Sequence, residues 1–334
     1  MNSLVVILNY CTPDLTIQCL RSLAPEMAGR SEDHVIVADG ASDDDSVGRI
    51  SDAVVKNCWS HWVSVVPLLA NNGYAAGNNA IIRESLDATD PPKYVLILNP
   101  DTVATPHAVG ALAAFMDANP RVGIVGSQLE GLDGAKQCSA FRFPSLISEL
   151  ESTMRLGIIS RVFDRWRVPL KTRGYPFRVD WVSGASFMVR ASLFRQIGLL
   201  DEAFFLYFEE VDFCKQAQKA GWECWQVPES RVAHMPGQST GVSVIDRRPE
   251  RRPAYWFESR RRYFVKNHGW LYAVLVDLLW MLGHSACRLK QVLLRRPNEA
   301  PPHLLWDFVR YSNLVQAVRL WRRVGNHPVR AGRE

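Results

Sequence analysis

An α/β fold, with a mostly parallel central sheet flanked by helices, is what this sequence predicts, and three observations predict it. Short apolar runs rich in β-branched residues recur in the N-terminal part, at residues 4–8, 35–38, 62–68 and 94–98. Helical-looking stretches separate them, the first over 14–23 directly behind Pro13. Polar residues follow the runs: Asn9 and Tyr10, then Asp39, then Asn71-Asn72-Gly73, then Asp101. Strands alternating with helices call for parallel pairing through crossovers. In open sheets of that kind ligands bind beyond the carboxyl ends of the strands, so four strand ends bring hydrogen-bonding or anionic groups to one edge.

Beyond about residue 128 the alternation fades, although 179–190 and 222–227 still read as strands around a helix over 209–220. The expected organisation is therefore one α/β domain over 1–245, with a nucleotide-binding half (1–127) and an acceptor half (128–245). A basic, partly amphipathic helical extension over 246–334 completes it. Charge marks that boundary. Residues 1–246 carry 21 Lys and Arg against 28 Asp and Glu, net −7, whereas 247–334 carry 18 against 6, net +12. Such a tail suits phosphates, anionic lipid or nucleic acid.

With 334 residues, 47% of them hydrophobic, the chain can bury a large core. Ordinary glycine, proline and charge usage, with no fixed-period repeat and no low-complexity tract, argues against a disordered, fibrous or solenoid protein. Seven scattered cysteines, at 11, 19, 58, 138, 214, 224 and 287, include no Cys-x-x-Cys pair, so neither a zinc site nor a redox motif is expected. They point to a reducing compartment. The first residues lack the basic region and the long apolar run of a signal peptide, and a cytoplasmic location is expected.

Each candidate site residue carries two readings on local sequence. Asp39, in Ala38-Asp39-Gly40-Ala41-Ser42, is either a turn carboxylate or a ligand of the donor's base or ribose. Asp101 is delivered to the sheet edge by a buried strand, as a helix-capping residue or as an oxygen ligand for a hard cation. Gly73, Gly77 and Asn78 open a helix with small residues, which serves a tight turn or lets backbone amides approach an anion. Glu209, Glu210 and Asp212 follow a run of aromatics; they complement a helix dipole or, as neighbouring carboxylates, raise one another's pKa toward that of a general base. His234 ends the last strand as a structural imidazole or a metal ligand.

Together these residues resemble glycosyltransferase family 2, the inverting enzymes of GT-A fold, and especially its rhamnosyltransferase-like bacterial members. The resemblance spans residues 3–268 and rests on six motifs in the family's order. They are Val5-Val6-Ile7-Leu8-Asn9-Tyr10, Val37-Ala38-Asp39-Gly40-Ala41-Ser42, Asn71 to Asn79, Leu98-Asn99-Pro100-Asp101, Trp181-Val182-Ser183-Gly184-Ala185, and Phe208-Glu209-Glu210-Val211-Asp212. It implies Asn9, Tyr10 and Asp39 on the nucleotide, Asp101 as the remaining acid of the metal motif, and His234 as second ligand of Mg2+ or Mn2+. It implies Glu210 as base, with Asp212 the alternative. Trp181 and Gly184 are expected around the donor sugar and acceptor, or, for Trp181, in the core.

Asn99-Pro100-Asp101 departs from the Asp-x-Asp of many members, so metal binding rests on fewer carboxylates. Arg261 is expected either to reach the diphosphate or to lie on a solvated basic face. The Gln-x-x-Arg-Trp signature of processive members is absent, which implies a single transfer. The resemblance favours deoxythymidine-diphosphate rhamnose as donor, with uridine-diphosphate sugars next. The acceptor expected is a lipid-linked saccharide.

Residues 269–283 are apolar except for Asp277 and fall short of the roughly 20 a spanning helix needs. Trp270, Tyr272, Trp280 and flanking arginines suit an interfacial helix at the inner face of the cell membrane; a core or dimer helix is the other reading. A catalytically inactive sugar-binding module is the rival function. Nucleic-acid binding through the tail has no recognised motif behind it.

Overall fold

The apolar runs form strands because both of their faces find a partner. A computed structural model describes residues 1–154, 163–235, 237, 250–298 and 300–325. In chain order its elements are β1 (Ser3–Asn9), α1 (Pro13–Met27), β2 (His34–Asp39), α2 (Ser46–Lys56), β3 (Val63–Pro67), α3 (Tyr74–Leu86), β4 (Tyr94–Leu98), β5 (Thr102–Ala104) and α4 (Ala108–Ala118). They continue through β6 (Val122–Glu130), β7 (Ala140–Phe141), α5 (Leu146–Met154), β8 (Phe177–Val179), β9 (Trp181–Val182), β10 (Ser186–Arg190), α6 (Ala191–Ile197) and α7 (Glu209–Lys219). The last are β11 (Glu223–His234), α8 (Ala254–His268), α9 (Trp270–Leu293), α10 (Leu304–Tyr311) and α11 (Asn313–Gly325).

The chain divides into two compact units, Met1–Phe143 with Val168–Asp246, and Pro144–Arg167 with Arg247–Glu334. In the first unit a nine-stranded sheet runs β3-β2-β1-β4-β10-β6-β11-β5, with β8 beside β11. The strands β3, β2, β1 and β4 are parallel, as the alternation predicted. β10 then enters antiparallel between β4 and β6. Strand order reverses beside β1, between its neighbours β2 and β4, which is where an open sheet leaves a crevice at its carboxyl ends.

Alternation along each strand sends residues to opposite faces. Val5, Ile7, Val35, Val37 and Leu96 pack with Leu20, Leu23, Ile50 and Leu112. Leu4, Val6, Val95 and Ile97 pack with Ile81, Ile82, Phe194 and Phe213. Two covered faces explain why these strands read as continuous apolar runs. The stretch predicted as one strand over 179–190 is instead broken by Ser183-Gly184-Ala185, between β9 and β10.

The second unit is helical. Residues 144–167, read from sequence as part of the acceptor half, group with the C-terminal helices. Its small core stacks Trp280 on Phe308 with ring centroids 3.8 Å apart and sets Phe257 edge-on to Phe308. The apolar stretch taken to end at residue 283 is corrected. It is the first part of a 24-residue helix, Trp270–Leu293, long and apolar enough by length and composition to cross a membrane. Ala286, Arg288, Leu289, Lys290 and Gln291 are all good helix formers, so the change from apolar to basic composition does not stop the helix. Asp277, the charge within it, is buried and paired with Arg260 at 2.8 Å.

Candidate active site

The carboxyl end of β1 pairs in register with that of β2, which sets Asn9 beside Asp39. The Asn9 amide donates to Asp39 at 2.7 Å, and its carbonyl oxygen accepts from Thr16 at 2.8 Å and Thr12 at 3.1 Å. Asp39 also accepts from the Ser42 amide and hydroxyl, each at 2.9 Å. Three of the roughly four acceptor positions of an ionised carboxylate are thus used inside the protein. Asp39 organises the Gly40-Ala41-Ser42 turn from a buried position, while Tyr10 stands 45% exposed at the same edge.

Asp101 follows β4, and His234 ends β11, whose pairing with β5 sets His234 opposite Thr102. The two side chains meet: His234 Nε2 lies 3.5 Å from Asp101 Oδ1, and the Met235 amide donates to the Asp101 carbonyl at 3.0 Å. Asp101 is 1% exposed. One carboxylate oxygen and one imidazole nitrogen fit a divalent cation that completes its shell from phosphate oxygens and water. Among the described residues no group of three or more His, Cys, Asp or Glu forms a closed metal cage.

Glu209 and Glu210 open α7, and the turn that presents them is strained. Tyr207 and Phe208 both take left-handed conformations, with φ of 71° and 69°. Each such bulky residue costs on the order of 1–3 kcal/mol, and strain of this kind gathers at functional sites. Among the described residues Glu209 Oε2 and Glu210 Oε2 are buried oxygens with no hydrogen-bond partner. Burial pushes the Glu210 carboxyl up to about 7, against the pull of the Gly184, Glu210 and Val211 amides. Burial and the neighbouring Glu210 charge raise Glu209 as well. Asp212, in contrast, accepts a hydrogen bond from Gln216 on its own helix at 3.2 Å. Glu210 is therefore the better placed of the two candidate bases.

A phenol joins these groups. Tyr74 Oη lies 2.8 Å from the Gly184 carbonyl and 3.1 Å from Asn99 Oδ1. Its pKa is raised well above that of a free phenol by burial and then by the charges of Glu209, Glu210 and Asp101. The Asn-Pro-Asp motif, the Trp-Val-Ser-Gly-Ala motif and the paired glutamates thus converge around one side chain.

Compared with known proteins, residues 2–252 match glycosyltransferase-like family 2. The chain belongs to that family. This glycosyltransferase is 31% identical over 248 residues to N-acetylglucosaminyl-diphospho-decaprenol L-rhamnosyltransferase of Mycobacterium tuberculosis, covering 70% of the chain and 76% of the relative. It is 26% identical over 168 residues to rhamnosyltransferase WbbL of Escherichia coli, covering 48% of the chain and 60% of the relative. Among solved structures, TarS 1–349 of S. aureus superposes with a TM-score of 0.52 at 16% identity, over 95% of this chain and 83% of that one. GalNAc-T7 with UDP, GalNAc and Mn2+ gives 0.56 at 15%, over 88% and 56%. These two likenesses concern the fold, which is the GT-A arrangement of the family.

Of the two readings that several of these residues carried, packing accounts for Gly73 and Gly77. A Cβ on Gly73, whose φ is 93°, would stand 2.3 Å from the Phe205 carbonyl oxygen, and one on Gly77 would strike the Leu8 side chain at 2.7 Å. The first amide of α3, that of Tyr74, is spent on the Phe205 carbonyl at 2.7 Å. Asn78 is fully buried and donates to the Tyr74 carbonyl at 2.9 Å. Trp181 stacks on Phe141 at 4.0 Å and donates to the Arg142 carbonyl, so the packing reading accounts for it.

Arg261 lies on α8, in the second unit. Its neighbour Arg260 is no solvated face residue: it is 4% exposed between Glu149 and Asp277. Sequence reasoning missed Tyr74 and the Asn99 side chain. A tyrosine between small residues at a helix start was their one local signal.

Proposed function

We propose that this protein transfers a single sugar, rhamnose being favoured, from a nucleotide-diphosphate donor to an acceptor hydroxyl with inversion at the anomeric carbon. The transfer serves assembly of a bacterial cell-surface polysaccharide or glycolipid. The observation that carries the reading is Glu210, whose half-buried carboxyl has an unpartnered oxygen and titrates near 7 beside Gly184. Glu210 takes the acceptor proton, and the freed oxygen pair forms the bond to the anomeric carbon. The bond from that carbon to the diphosphate oxygen breaks and leaves with its electrons. One displacement inverts the centre; a product of retained configuration contradicts this.

Asp101 and His234 would hold Mg2+ or Mn2+, which when bound supplies positive charge to the leaving diphosphate. Asn9, Tyr10 and Asp39 form the nucleotide edge. Mn2+ and UDP in the GalNAc-T7 structure, and the decaprenol-linked substrate in the name of the Mycobacterium tuberculosis relative, support a metal and a lipid-linked acceptor. The donor favoured is deoxythymidine-diphosphate rhamnose, then uridine-diphosphate sugars. A panel of nucleotide sugars assayed with Mn2+, Mg2+ or chelator tests the reading. We expect metal-dependent turnover of one donor, and in Asp101→Ala no remaining difference between metal and chelator. Nucleotide-sugar binding without turnover in any metal would instead favour an inactive binding module.

The protein works, in this proposal, at the inner face of the cell membrane. Along α9 the residues Leu271, Leu275, Leu278, Leu282, Leu289 and Val292 are exposed at helical spacing. Exposed Arg295 and Arg296 follow, in a segment of net charge +12. An apolar stripe with basic flanks suits an anionic lipid surface. Sedimentation with vesicles should recover the protein on phosphatidylglycerol and leave it free of phosphatidylcholine at high salt. Leu275→Glu with Leu282→Glu should release it. Equal recovery of parent and double variant would refute this attachment.

A further inference from the structure

We infer that Tyr74 is a positioning residue for transfer: its phenol clamps the Gly184 peptide to the Asn99 side chain, and Gly184 in turn holds the Glu210 carboxylate. The inference rests on Glu210 being the base.

The clamp starts from a fixed backbone. Tyr74 is the first residue of α3, its amide tied to the Phe205 carbonyl at 2.7 Å, and Gly73 before it lets that carbonyl approach where no Cβ fits. The ring is thereby aimed inward, and its hydroxyl meets the Gly184 carbonyl at 2.8 Å and Asn99 at 3.1 Å. A phenol has one proton to give. It goes to the shorter contact, the Gly184 carbonyl, with Asn99 Oδ1 as the second acceptor within reach.

An aspartate at position 99 would add a further negative charge around a phenol that already feels Glu209, Glu210 and Asp101. The Asn-Pro-Asp sequence divides the work: Asp101 faces His234, and Asn99 faces Tyr74.

Gly184 is the hinge. Its amide bonds to Glu210 while its carbonyl accepts from Tyr74, and a glycine between them has more rotational freedom than any other residue. A Cβ built on Gly184 would sit 3.5 Å from the Glu210 carboxyl carbon, so the base lies directly against this residue. Holding the carbonyl restricts the turning of this residue and so helps keep its amide on the Glu210 carboxylate, a bond that favours the charged form. The titratable groups that interact with Glu210 are Glu209 on the same helix and Tyr74 on α3, both raised in part by its charge.

Tyr74→Phe keeps the ring and removes the clamp. The test measures kcat, donor KM and the pH dependence of kcat for four proteins: parent, Tyr74→Phe, Glu210→Gln and the double variant, with melting temperature as the check on folding. Loss of one hydrogen bond predicts a fall in kcat of about tenfold with donor KM unchanged. The acid limb should move to higher pH, because a carboxylate that loses an amide donor binds its proton more tightly. In the Glu210→Gln background, Tyr74→Phe should lower the residual rate no further. An unchanged kcat, an unmoved acid limb, or an equal further loss in that background would overturn the inference. If Glu210→Gln itself keeps the parent rate, the base assignment fails and the clamp fails with it; if only Tyr74→Phe is silent, the base stands and the clamp alone fails.

Discussion

Glu210→Gln is expected to lower kcat by roughly 10²–10⁴-fold, the usual contribution of general-base catalysis, while leaving nucleotide binding intact. Glutamine keeps the volume and the amide contacts but accepts no proton. In the parent protein the rate should rise with pH through about 7, since the base works as the carboxylate and burial raises its pKa to about that value. An enzyme whose kcat is flat between pH 5 and 8, or a Glu210→Gln variant within a factor of a few of the parent, would remove Glu210 from this role. Stability carries the same information with the opposite sign. A carboxyl that titrates near 7 when folded and near 4.5 when unfolded disfavours folding above its unfolded pKa. That penalty grows as pH rises from the unfolded to the folded value and is on the order of 3 kcal/mol at its full extent. Glu210→Gln should therefore melt at a higher temperature than the parent at pH 8 and close to it at pH 4.

Arg260→Ala is expected to destabilise the second unit by about 3–5 kcal/mol, the cost of removing one partner from a buried ion pair. Arg260 donates to Glu149 at 2.5 and 3.1 Å and to Asp277 at 2.8 Å, and it lies 4.7 Å from the Phe308 ring. Asp277 also accepts from the Asn313 amide and side chain, at 2.8 and 2.7 Å. This cluster joins α5, α8, α9 and the start of α11. Removing the guanidinium leaves the buried Asp277 and the partly buried Glu149 without the cation they share, whereas Arg260→Lys keeps the charge and should cost less. Denaturant melts of the whole chain would show an early transition in Arg260→Ala. A shift equivalent to less than about 1 kcal/mol, the range of exposed pairs, would mean that the cluster is solvated.

The strands of the first unit were legible because their signal is local. Residues 4–8 and 94–98 are apolar at every position, as a strand covered on both faces must be, and a polar residue directly after each marks where a parallel sheet opens. Asn9, Asp39, Asp101 and Glu210 were named on that ground and on the order of the motifs. The glycines of 73–79 were ambiguous for a physical reason. A missing Cβ makes room equally for a ligand or for the protein's own backbone, and the Phe205 carbonyl and the Leu8 side chain fill that room.

By itself, then, the sequence determined the alternation of strands and helices, the carboxylates at the strand ends, the family, and the basic character of the C-terminal segment. Tertiary structure decided which of those residues meet. Tyr74 reaches Gly184 across 110 positions, Arg260 reaches Glu149 across 111, and residues 144–167 join helices that begin beyond residue 250. Propensity and periodicity act over one or two turns of helix or one strand. Partners a hundred residues apart are chosen by the order in which strands assemble into the sheet and by the packing of the helices, which no local pattern encodes.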